Sequence, residues 1–184
     1  DNDFQSLAVE SSQVFAETGE SGFASLAAWS NSKAGNYRSA ISALERQYPS
    51  LRGEVLDYLA TEDMMDAVLL AYCYRKVGNG AASARVSGML LASDLLSQEK
   101  VANLPIRRIV RIGALAVNGQ NDKALTELGN LDPETMPIAV GGLALPIDDL
   151  PVFESLYESE VFQRYATHER YRLAQQARML ASGE

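Results

Sequence analysis

Three short segments of this 184-residue chain echo one another, and the echo narrows the possible folds more than any other feature. They are Ala34-Gly35-Asn36-Tyr37-Arg38-Ser39-Ala40-Ile41, then Leu70-Ala71-Tyr72-Cys73-Tyr74-Arg75-Lys76-Val77-Gly78-Asn79, then Asn118-Gly119-Gln120-Asn121-Asp122-Lys123-Ala124-Leu125. Each holds an apolar helical stretch, a Gly followed by Asn or Gln, and a second helix that opens on small residues. Internal repeats of this kind specify stacked helical hairpins, because one hairpin is too small to bury its own apolar face and buries it against the next. The expected fold is therefore all-α, a single domain over residues 1–184.

Hydrophobic periodicity fills in the elements. Phe4, Leu7, Ala8, Ser11, Val14 and Phe15 share one helical face, which predicts an N-terminal helix within 1–19, closed by Gly19. Hairpin one spans 20–48, with Phe23, Leu26, Ala27 and Trp29 before its Gly35 turn and Ala40, Ile41 and Leu44 after it. A short helix from Arg52 to Ala60 comes next. Hairpin two spans 61–97: Thr61-Glu62-Asp63 offers a cap and first-turn acids, and a return helix is expected from Ala82 to Ser97. Hairpin three spans 105–131, starting at a Pro that the first helical turn tolerates. Three prolines and Gly141-Gly142 make Pro137 to Pro151 an irregular crossover, in which the apolar run Ile138 to Leu145 is the only rival strand and is weakened by its glycines. Residues 150–182 add a short helix and a long one, the latter expected to break near Thr167.

The composition excludes several functions. With 24 acidic against 16 basic residues, the net charge of −8 opposes a phosphate-tracking surface, so nucleic acid is not an expected partner. No run approaches the roughly 18 apolar residues of a membrane span. The lone Cys73 can form no internal disulfide and suits a small buried hydrophobe. The lone His168 lacks a nucleophile motif, Gly78-Asn79-Gly80 lacks the Lys-Ser/Thr of a phosphate loop, and the acids Glu62, Asp63, Asp66, Asp148 and Asp149 lack the alternation of a calcium loop. No enzyme, metal or cofactor is expected. The Asp1-Asn2-Asp3 opening suggests a domain cut from a longer protein.

Hairpin two resembles the tetratricopeptide (TPR) repeat: Leu70-Ala71-x-x-Tyr74 is similar to the family's Leu-Gly-x-x-Tyr, and Gly78 stands at its turn. Gly35-Asn36-Tyr37-x-x-Ala40-Ile41 and Leu44 are similar to the turn and second helix. Hairpin three keeps Gly119, Ala124, Leu125 and Leu128, although Ile112-Gly113 lies one residue too near the turn. The spacings between the turn glycines exceed the family's period of about 34 residues. Leu145 to Gln163 resembles the tail that closes TPR modules in membrane-anchored winged-helix regulators and adenylate cyclases of bacteria.

The resemblance implies a right-handed solenoid with a C-terminal helical cap, in which Tyr74 packs internally. It also implies a concave face carrying Ser25, Trp29, Ser32 and Lys33 from hairpin one and Val68, Tyr72, Arg75 and Lys76 from hairpin two. Trp29 and Tyr72 would form an aromatic floor and the cations a margin, suited to a protein or peptide carrying acidic groups. Arg107, Arg108 and Arg111 add a basic strip. The implied function is a binding scaffold, the sensory or assembly module of a bacterial regulatory protein, with a periplasmic setting favoured and self-association open. A small-molecule sensor is the alternative.

Overall fold

The computed structural model describes residues 3–53, 63–96, 105–132, 138–140 and 143–182. Apart from turns and one short pair of strands, the described residues are helical. Helix α1 (Phe4–Thr18) is followed by α2 (Ser21–Lys33), α3 (Tyr37–Gln47), α4 (Met64–Lys76), α5 (Gly80–Ala92), α6 (Pro105–Val117), α7 (Asn121–Gly129) and α8 (Glu160–Ser182). Short 3-10 turns lie at Pro49–Arg52, Asp94–Leu96, Ile147–Asp149 and Pro151–Leu156. Consecutive helices pack together, α4 packs on α2 and α3, and α6 packs on α4 and α5, so each hairpin rests on its predecessor.

The repeated Gly-Asn and Gly-Gln dipeptides explain the hairpins. Gly35 and Gly78 adopt φ of +80° and Gly119 +77°, a left-handed conformation that ends a helix and that a side chain would strain. The same hydrogen-bond pair recurs at all three turns. Asn36, Asn79 and Gln120 donate their backbone N–H to the carbonyls of Asn31, Tyr74 and Leu115 at 2.8, 2.9 and 2.9 Å, while each glycine N–H reaches the carbonyl three residues back. The residue after the glycine then opens the next helix, and Asn79 caps it by accepting from the Ala82 N–H at 3.2 Å.

Helix α4 is the centre of the core. Every residue from Met64 to Tyr74 is buried, including Leu70 and Ala71 at 0% exposure and Tyr74 at 7%. A helix enclosed on all sides needs neighbours on all sides. It has α2, α3, α5, α6 and the Pro151–Leu156 turn around it. The small residues Ala40, Ala71 and Ala124 are fully buried where helices come close.

The structure departs from expectation at several places. Ile138–Val140 and Leu143–Leu145 pair as antiparallel strands β1 and β2 with Ile138 opposite Leu145, so this part of the expected irregular crossover is regular. The short C-terminal helix is a 3-10 turn at Pro151–Leu156, with Leu150 in an extended conformation before it. Helix α8 runs unbroken through Thr167. Helix α5 stops at Ala92 and a 3-10 turn comes after it. The helix expected from Arg52 to Ala60 falls outside the described residues beyond Gly53, as does Glu62.

Candidate functional site: the inner face of hairpins two and three

The residues assigned by resemblance to a concave face divide between two places: Trp29 and Lys33 meet Phe4 of α1, whereas Val68, Tyr72 and Lys76 lie against the C-terminal segment. Val68 on α4 is fully buried, and Gly113 on α6 lies beside it. A Cβ on Gly113 would stand 3.2 Å from Val68 Cγ1 and 3.4 Å from Phe153 Cε1. The Phe153 ring is therefore sunk between the two helices at 0% exposure, backed by Phe162 with ring centroids 6.2 Å apart. One residue on, Glu154 accepts a hydrogen bond from the Tyr72 hydroxyl at 2.8 Å and pairs with Lys76 Nζ at 2.9 Å. Lys76 also lies 5.6 Å over the Tyr72 ring, and Tyr37 meets Tyr72 edge-on at 6.1 Å.

The electrostatics come from this cluster. Burial would raise the Glu154 carboxyl, but the hydrogen bonds from Lys76 and Tyr72 and the charges of Lys76 and Arg75 outweigh it and hold it below the usual range. The hydrogen bond to Glu154 raises Lys76 against the opposing effect of burial. Tyr72 is pushed far up, first by burial and then by Glu154. This hydroxyl is a fixed donor and Glu154 a fixed acceptor.

The open aromatic floor is thus corrected. Trp29 and Tyr72 are each 5% exposed, both core residues: Trp29 is covered by Phe4 of α1, edge-on at 5.4 Å, and Tyr72 by Tyr37 and the C-terminal segment. Ser25 and Ser32 are buried too. Lys33 remains at the edge, 5.3 Å over the Phe4 ring. Arg75 and Lys76 keep exposed side chains, and Arg75 donates to the Val117 carbonyl at 3.1 Å.

The basic strip is likewise corrected at Arg108 and Arg111, whose guanidinium groups serve internal contacts. Arg111 pairs with Glu127 of α7 at 2.9 Å and donates to the Leu96 carbonyl at 3.0 Å, and Arg108 donates to the Asn130 carbonyl at 2.8 Å. Arg107 is half-buried. Asp148 and Asp149 both meet Arg170, at 2.6 and 3.2 Å. Cys73 is fully buried and burial pushes its thiol up to about 12, while His168 is exposed on α8. Among the described residues no group of three or more His, Cys, Asp or Glu could hold a metal ion, and no helix is long and apolar enough to cross a membrane.

One buried polar cluster escapes a reading of the sequence. Asp66, which the sequence marks only as one of several acids without a calcium-loop pattern, is 5% exposed and accepts from the Ser25 hydroxyl at 2.5 Å and the Tyr48 hydroxyl at 2.9 Å, with Asp63 sharing Tyr48 at 2.8 Å. Burial pushes its carboxyl up to about 6, against the lowering effect of the two hydroxyls. It joins α2, α4 and the segment after α3 at the boundary between hairpins one and two. Neither a family model, nor a curated protein, nor a solved structure matches this chain significantly.

Proposed function

We propose that the chain is a TPR-like scaffold that binds a protein or peptide, the sensory or assembly module of a larger bacterial regulatory protein, and that its C-terminal segment both caps the solenoid and occupies the inner groove. The observation that carries this reading is how that groove holds Phe153 and Glu154. An aromatic ring sinks between two helices, and the adjoining carboxylate is taken by a tyrosine hydroxyl and a lysine. A buried aromatic anchor beside a charge-assisted contact is the chemistry by which helical grooves select peptides. The repeated Gly turns and the stacking of successive hairpins support the family reading, which carries the right-handed coil with it. Phe153 and Leu156, at 0% and 1% exposure, occupy the volume that a closed small-molecule pocket would need at this face.

A labelled peptide spanning Asp148 to Ser159 tests the reading when added to a full chain carrying Phe153→Ala and Glu154→Gln. Saturable binding that weakens with salt and disappears when Lys76→Glu is added is the expected result, with the unaltered chain binding far more weakly because its groove is filled. A folded double variant that ignores the peptide would sink the proposal.

A further inference from the structure

The molecule has a second trough, which no described residue of the C-terminal segment lines. It lies between α1 and α3, each of which packs on α2, and encloses about 560 Å³. Ala8, Val9 and Ser12 form one wall and Ser39, Ser42 and Ala43 the other. Both sets recur at helical spacing, so the walls run along the helix axes; α1 contributes from Gln5 to Phe15, about 15 Å at the helical rise. Small side chains on both walls allow a third helix to approach to about 8–10 Å between axes. Val9, an aliphatic side chain, is 59% exposed on this trough.

The walls are held in place before any partner arrives. Asn31, buried at the floor, donates to Ser12 Oγ at 3.2 Å and to the Ala27 carbonyl at 2.8 Å, tying α1 to α2. Asn36 Nδ2 reaches Gln5 Oε1 at 3.2 Å across one end. At the other end the Arg46 guanidinium lies 5.1 Å over the Phe15 ring, and among the described residues Arg46 is the only formal charge that lines the trough. A preformed groove lowers the ordering cost of binding. In a chain of net charge −8, one cation at the end of an otherwise neutral trough selects an acidic group.

We infer that this trough docks an amphipathic helix of a partner protein, its inserted face made of small and aliphatic residues and one acidic side chain placed to meet Arg46. Helix-in-groove recognition inserts one face of an amphipathic helix, and the small Ala and Ser side chains of these walls, with Val9 among them, leave room for such a face beside the Arg46 end contact. The inference rests on the reading of the module as a protein-binding scaffold but assigns the partner to another face.

The test selects a phage-displayed library of short helical peptides on the full chain and measures the enriched peptide, made synthetically, against variants. The expected peptide carries Asp or Glu at one end of an Ala, Ser or aliphatic stripe. Its binding should fall about tenfold or more with Arg46→Glu, vanish with Ser42→Trp or Ser39→Trp, and stay unchanged with Lys76→Glu. These substituted side chains are exposed, and circular dichroism melts check that each variant folds. No enrichment, or a peptide indifferent to both Arg46→Glu and Ser42→Trp, overturns the inference. A peptide that loses binding with Lys76→Glu but tolerates Ser42→Trp also overturns it, while leaving the scaffold reading of the inner face standing.

Discussion

The Phe153 ring packs against the bare backbone of Gly113, its Cε1 atom 3.4 Å from where a Cβ would stand. Gly113 is the glycine that lies one residue out of register with the family pattern, and its role is contact, since the hairpin turn belongs to Gly119. Gly113→Ala would ordinarily gain about 1 kcal/mol in helix propensity. Here the new methyl meets Val68 and Phe153, both fully buried, and overpacking of this kind costs about 1–3 kcal/mol. Urea unfolding should show a net loss of stability; a more stable variant would mean that the two side chains move aside freely. Phe153→Ala should cost about 3–5 kcal/mol.

The contact between α4 and Glu154 is a smaller matter energetically. Side chains of Lys76 and Glu154 are 31% and 45% exposed, and such a pair contributes about 0.2–1 kcal/mol in a double-mutant cycle. Tyr72→Phe removes a more enclosed hydrogen bond and should cost about 1 kcal/mol. A cycle on Tyr72 and Glu154 should give a coupling at least as large as that for Lys76 and Glu154, and the reverse order would show that the charge, not the hydroxyl, holds the segment.

Asp66 should make stability depend on pH between about 4 and 7. Its folded-state carboxyl, raised from 3.8 to about 6, binds a proton more readily than in the unfolded chain, so its contribution is complete below the unfolded value and is lost as pH rises through 6. The shift corresponds to roughly 3 kcal/mol between the two limits. Asp66→Asn should flatten this part of the profile, measured as the difference in unfolding free energy between variant and parent at each pH. A difference that stays constant from pH 4 to 7 would show that Asp66 titrates normally.

Gly78→Ala should lower stability by about 1 kcal/mol or more, because a φ of +80° strains any residue with a Cβ although nothing crowds the site. Thermal unfolding measures the loss. An unchanged melting temperature would mean that the turn refolds into another type without cost.

The hairpin turns are readable from the chain because their signal is local: a glycine free to turn left-handed, then an Asn or Gln at which the returning helix opens. The filling of the inner face is not, since Tyr72 and Glu154 are 82 positions apart. A trace of it exists in the run from Met64 to Tyr74, which leaves α4 almost no polar side to present to water. The same distance effect hides Asp66, whose hydroxyl partners come from α2 and from the end of α3, and disguises Arg111, whose acid lies on the returning helix α7. In the crossover, the glycines speak against a strand, whereas the pairing of Ile138–Val140 with Leu143–Leu145 supplies each strand with a partner that composition does not reveal.

Hairpins that touch only their neighbours behave as a spring, stretching and twisting with little resistance along their length. In this chain β1 returns to α2, while the Pro151–Leu156 turn lies against α4, α6 and α7. One stretch of backbone therefore laces all three hairpins together from the inside. Pulled from its ends, the module should hold nearly constant length until this lacing tears, and then give way in a single step.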